Sequence, residues 1–214
     1  MFALRKNSLA KRVFALASAV LAIAAMPQIV QAAKFYVDAT TIAVKPEEKV
    51  TPATPKPVQI LYEFQRDGGP NPKATKFTKS FIFEDLKASG GFSAVSETPV
   101  EGGAVLSIKF NNVVDPEALK KAKSDGFKTG LSFGLFGGTA VEDLYEVTFE
   151  YIPAPGAAPI KTIVYHKLVT TIGKVKEVIP GTQYKKADLA VRELVRQVMA
   201  RGTNNLFADP AFPR

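Results

Sequence analysis

The run Asp143-Leu144-Tyr145-Glu146-Val147-Thr148-Phe149-Glu150-Tyr151-Ile152 alternates. Tyr145, Val147, Phe149 and Tyr151 fall on one side; Glu146, Thr148 and Glu150 fall on the other. A period of two is that of a strand with one buried and one wetted face. The loop Pro153-Ala154-Pro155-Gly156-Ala157-Ala158-Pro159 follows, and Ile160 to Thr171 reads as a second strand. Nothing helical separates the two. Antiparallel strands can be joined by a short loop, whereas parallel strands need a long crossover. The pair therefore predicts a long hairpin and argues against a doubly wound parallel sheet.

Working outward, Ala104, Leu106, Ile108 and Phe110 alternate with Ser107 and Lys109, a half-buried strand. Val58, Ile60, Tyr62 and Phe64 alternate with Gln59, Leu61 and Glu63 in the same way. Turn residues Asp67 to Pro72 make a loop. A helix is predicted from Ala74 to Ser89, burying Phe77, Phe81, Ile82 and Leu86 and closed by Gly90-Gly91. Phe92 to Glu97 reads as a short strand, and Asp115-Pro116 opens a short helix through Lys123. Near the start, Phe35 to Val44 is strand-like. Pro46, Pro52, Pro55 and Pro57 then favour an extended, solvated spacer. At the far end Lys185 to Arg201 is a helix with Ala187, Ala190, Val191, Leu194, Val195 and Val198 in its apolar stripe. Gly202 is its expected stop, and the last residues are an expected tail. The order of elements gives an α+β fold, a largely antiparallel sheet with two main helices packed on one face. The expected divisions are residues 1–32, 33–57 (strand and Pro-rich linker), 58–202 (α+β domain) and 203–214 (tail).

Residues 1–32 have the pattern of a secretory signal peptide. Arg5, Lys6, Lys11 and Arg12 form a basic start, Val13 to Ala25 an apolar middle, and Val30-Gln31-Ala32 a peptidase exit. The apolar run is shorter than the roughly 20 residues that span a bilayer. Cleavage after Ala32 would leave a periplasmic or secreted protein. With no cysteine in the chain, a lipid anchor at the cleavage site and disulfides are both excluded. The formal charge of +8 shrinks to +4 once the four basic residues of this segment are set aside. That is too mild to argue for nucleic acid, though it suits an anionic membrane surface.

Catalytic constellations are sparse. His166 is the only histidine. With no cysteine, zinc is disfavoured and no cofactor is implied. A Ser-His-Asp arrangement would have to use His166, and no G-x-S-x-G elbow presents a nucleophile. A G-x-x-x-x-G-K-[ST] phosphate loop is absent. No enzymatic activity is expected, with a hydrolase using His166 as the weakest alternative.

The stretch from Gly126 to Gly138 is the most distinctive. Gly126, Gly130 and Gly134 recur every four residues, interleaved with Leu131, Phe133, Leu135 and Phe136. It reads as a tightly packed connection, as an interface for a partner or second copy, or as a membrane-contacting segment. A second candidate site is an apolar pocket lined by Phe77, Phe81 and Tyr145.

The units Val58–Phe64, Ala74–Gly91, Phe92–Glu97, Ala104–Val113 and Lys185–Arg201 follow a signal peptide and a Pro-rich spacer. In this outline the chain resembles small exported accessory proteins of the bacterial envelope, of the TolB N-terminal-like and ABC-transport auxiliary lipoprotein types. It lacks their lipidated Cys. The resemblance implies a non-catalytic, protein-binding or adaptor component of cell-envelope maintenance or transport with an envelope protein partner. The alternative is a carrier of a small apolar ligand or lipid between sheet and helices.

Overall fold

The computed structural model describes residues 33–40, 42–113, 138–173, 175 and 178–213. The expected signal peptide, the short helix expected from Asp115, and Gly126, Gly130, Leu131, Phe133, Gly134, Leu135 and Phe136 lie outside the described residues.

Among the described residues eight strands form one sheet: β1 (Ala33–Val37), β2 (Lys56–Arg66), β3 (Gly69–Pro70), β4 (Phe92–Ser96), β5 (Val105–Val113), β6 (Gly138–Ile152), β7 (Ile160–Gly173) and β8 (Thr182–Tyr184). Their order is β3-β2-β5-β6-β7-β1-β8, with β4 also paired to β2. Every pairing from β5 through to β8 is antiparallel. Among the described strands the parallel pairings are those of β2 with β4 and with β5. Helix α1 (Pro72–Ser89) makes the crossover that lets β4 lie parallel to β2. The expected α+β class holds, and the 153–159 loop joins the expected hairpin, with Tyr151 opposite Ile160.

Register explains which face is covered. Phe64, Phe110, Val147 and Val164 form one cross-strand row, and Ile60, Leu106, Tyr151 and Ile160 another. All of these side chains are buried beneath α1 and α2 (Ala187–Ala208). Each fully buried side chain of this size contributes roughly 1.5–3 kcal/mol. The opposite face carries the polar alternates, among them Glu63, Lys109, Thr148 and Lys161.

Helix α1 starts where Asn71 Oδ1 accepts from the Ala74 N–H at 3.1 Å, with Pro72 next in line. It ends at Gly90, whose φ of 72° is the left-handed cap the sequence predicts. Its buried stripe is Ala74, Thr78, Ile82 and Leu86. Phe77, expected inside, is 44% exposed. The stripe is set one position further on because Thr78 can face the sheet with its hydroxyl satisfied. It donates to Ala74 O at 2.7 Å and meets the Tyr62 hydroxyl at 2.5 Å.

Helix α2 runs past its expected stop. Gly202 sits inside it, against the Phe149 ring, where a Cβ would come within 2.2 Å. Glycine is there for space. The expected tail is likewise corrected: Phe207 and Phe212 pack into the core, with Phe212 stacked on Tyr151 at 4.8 Å.

The N-terminal strand is shorter than its composition suggests. Asp38 accepts from the Thr40 N–H at 2.9 Å and hydroxyl at 2.7 Å, an Asx turn that ends β1. β1 lies between β7 and β8 in the common sheet. The proline segment is strapped to α2. Val50 N–H donates to Asn204 Oδ1 at 2.7 Å, and Arg201 pairs with Glu48 at 3.3 Å while also donating to the carbonyls of Ile42 and Ala43 just before the segment. Gly181 passes so close to Val37 O, with φ at 103°, that no Cβ fits.

Candidate interaction surface

The most open feature of β2 is its outer edge. β4 covers that edge from Lys56 to Gln59, and β3 covers it at Gln65 and Arg66. Among the described residues no strand pairs with Leu61, Tyr62 or Glu63 on that side. A depression of about 460 Å³ lies here. It is lined by β2 itself, by Lys79 and Phe83 of α1, by Glu97, and by Lys109 of β5. Leu61 is 50% exposed. Lys79 and Glu97 form an ion pair across one wall.

A second feature lies on the helices, where exposed Phe77 adjoins half-buried Phe81. Phe77 and Phe81 meet edge-to-face at 5.6 Å. Arg192 lies 5.1 Å over the Phe81 ring and grips Asp85 with two hydrogen bonds of 2.6 and 2.8 Å. Its guanidinium pKa is raised, first by the hydrogen bond to Asp85. Tyr145 is elsewhere, buried against Phe64 and Phe110. The structure therefore does not bring Phe77, Phe81 and Tyr145 to one pocket. They fall apart because Phe77 lies outside the helix stripe that faces the sheet.

His166 is 1% exposed on the helix-covered face of β7. Its Nε2 is 2.8 Å from Gln197 Oε1, and Gln197 Nε2 donates to Glu193 Oε1 at 2.7 Å. Since Gln197 Oε1 accepts, Nε2 carries the proton and Nδ1 is left without a hydrogen-bond partner. Burial pushes the imidazole pKa down to about 4, against the opposing pull of the Gln197 bond. Nothing nucleophilic is bonded to either nitrogen among the described residues. Nearby, burial raises Asp143 to about 6, with Asn112 and Arg66 opposing. Asp143 Oδ2 and Thr170 Oγ1 are also buried without a hydrogen-bond partner. Among the described residues no group of three or more His, Cys, Asp or Glu side chains could hold a metal ion. None of the helices described is long and apolar enough to cross a membrane.

The residues around the open edge escape the sequence because pairing is non-local. One signal was present: Leu61 is the single apolar residue on the polar side of its strand between Gln59 and Gln65.

No family model matches the chain, and no curated protein matches it. Among solved structures, a PelC dodecamer from Paraburkholderia phytofirmans is 18% identical, with a TM-score of 0.32, covering 71% of this chain and 91% of that one. A point variant of that dodecamer is 19% identical over the same shares, with a TM-score of 0.33. An uncharacterized protein is 10% identical, with a TM-score of 0.29, covering 71% of this chain and 86% of that one.

Proposed function

We propose that this chain is an exported periplasmic protein that works without catalysis, binding a protein partner as an adaptor in cell-envelope maintenance or transport. The observation that supports this most is the open edge of β2, with exposed Leu61 and a charge-paired rim. Surfaces of this kind suit a macromolecular partner, since a small-molecule site is enclosed and mostly apolar. Export rests on residues 1–32, and the envelope setting on the resemblance in outline. The arrangement around His166 favours a structural role: a neutral imidazole locked to Gln197 has no nucleophile to activate.

The test is photo-crosslinking in cells that export the full chain. A photoreactive residue is placed in turn at Leu61 and Ile163, both exposed on the open face of the sheet, and at Phe77, exposed on α1. The expected result is a processed protein starting at Ala33, crosslinked to a discrete envelope protein from at least one position. An unprocessed, cytoplasmic chain would overturn export. A processed chain that crosslinks to nothing from all three positions would overturn the adaptor reading.

A further inference from the structure

The open edge has a backbone pattern that specifies what can occupy it. Phe64 turns both its backbone groups toward the outer edge: its N–H donates to Thr75 Oγ1 at 2.9 Å and its C=O accepts from the Asn71 N–H at 2.7 Å. Gln59 turns the other way, its N–H donating to Ala104 O at 2.9 Å beside β5. Backbone groups alternate sides along a strand, so Tyr62, two residues before Phe64, also directs its N–H and C=O outward. Phe64 has the helix start and the β3 turn to satisfy it. Tyr62 has no strand beside it among the described residues.

The gap between Gln59, paired with β4, and Phe64, whose outward groups are satisfied, is about 17 Å long at about 3.3 Å per residue, room for a strand of about three or four residues. Its walls are mixed in charge. Glu63 and Glu97 are matched by Lys79 and Lys109. A phosphate, a lipid headgroup or a strongly charged peptide gains nothing from such a rim. A neutral backbone with its own donors and acceptors fits it. Side chains from alternate positions of an added strand would meet Phe83 and the Lys79 stem on the helix side, and Leu61 on the open face of the sheet.

Resting on the protein-binding reading above, we infer that the Leu61–Glu63 edge of β2 accepts an extended, uncharged-to-apolar peptide segment of the partner as an added strand. Recognition is by main-chain hydrogen bonds to Tyr62, with Leu61 and Phe83 selecting apolar side chains.

The experiment uses the full mature chain and a displayed library of short random peptides. Selected peptides are synthesised, and their binding is measured on the wild type and on Leu61→Glu. Amide exchange of the isotopically labelled protein is followed with and without peptide. Leu61→Glu changes a half-exposed residue, so an unchanged melting temperature shows that it folds. The expected result is apolar-rich peptides that slow exchange of the Tyr62 amide, leave the Gln59 amide unchanged, and bind Leu61→Glu about tenfold more weakly, equivalent to ~1.4 kcal/mol. Selection of no binder, or protection mapping to the Phe77–Phe81 patch, overturns the inference. So does Tyr62 protection that grows with protein concentration in the absence of peptide, since a second copy then fills the edge. In each of these cases an envelope crosslink from Phe77 or Ile163 would leave the adaptor reading standing.

Discussion

Replacing Gly202 by alanine should destabilise the protein, although the same change in an exposed helix would stabilise it. Alanine is favoured over glycine in a helix interior by about 1 kcal/mol. Here the added Cβ lies 2.2 Å from both Cε2 and Cζ of Phe149 and 2.8 Å from Cδ2. Ordinary contact begins more than an ångström further out, so either the ring or the helix must move. Phe149 is fully buried on β6, flanked in its row by Ile108 and Thr162, and cannot withdraw without disturbing them. Overpacking of this kind costs typically 1–3 kcal/mol, and a methyl set against the ring itself belongs at the upper end. Setting about 3 kcal/mol of strain against about 1 kcal/mol of propensity leaves a net loss of about 2 kcal/mol. For a chain of this size that is a fall in melting temperature of roughly 4–8 °C. Urea and thermal unfolding of Gly202→Ala measure it directly. The double variant Gly202→Ala/Phe149→Leu supplies the control: the smaller side chain makes room, so the two changes together should cost less than their sum. A Gly202→Ala protein as stable as the wild type or more so, or strictly additive costs in the double variant, would refute the packing argument.

Two buried groups give opposite pH slopes. His166 has its folded pKa lowered from 6.5 to about 4, so the unfolded state takes up its proton first. Its contribution is present above pH 6.5 and is lost as pH falls toward 4, on the order of 3 kcal/mol in all. Asp143 has its pKa raised from 3.8 to about 6, so its contribution is present below pH 3.8 and is lost as pH rises toward 6, by a similar amount. In the shared window these slopes oppose each other. His166→Gln should therefore gain stability relative to wild type as pH falls from 6 to 4, and Asp143→Asn should gain it as pH rises over that range. Denaturant titrations at several pH values check both, and parallel curves for all three proteins would refute the assignment. Arg192→Ala should cost about 1–2 kcal/mol by removing the paired hydrogen bonds to Asp85 and the contact with Phe81. Arg192→Lys should recover little of it in thermal unfolding, because an ammonium lacks the planar fork.

How much of this was legible depended on range. Local alternation located β2, β5, β6 and β7, because a half-buried strand writes its two faces into consecutive residues. The hairpin was readable too, since a seven-residue loop leaves little choice of partner. What failed had non-local causes. Phe77 is more apolar than Thr78, yet Thr78 is inside, because Tyr62 on a separate strand offers its hydroxyl a partner. Gly202 looked like a stop, yet it continues the helix because Phe149, 53 positions earlier, needs the space. The proline-rich segment looked like a solvated spacer, yet Asn204 holds Val50 and Arg201 pairs with Glu48 from the far end of the chain. The candidate edge belongs to this second class. A strand's sequence records which face is buried but not which edge is paired. β2 became an interrupted edge only through the placement of β3 and β4, two short strands whose own sequences do not state their partners. The odd placement of Leu61 among polar neighbours is the one local trace of that arrangement. A half-exposed leucine alone is common on protein surfaces. It acquires meaning here because Tyr62, the next residue, has an outward-facing backbone beside no strand, and that conjunction could be seen only after the sheet was assembled.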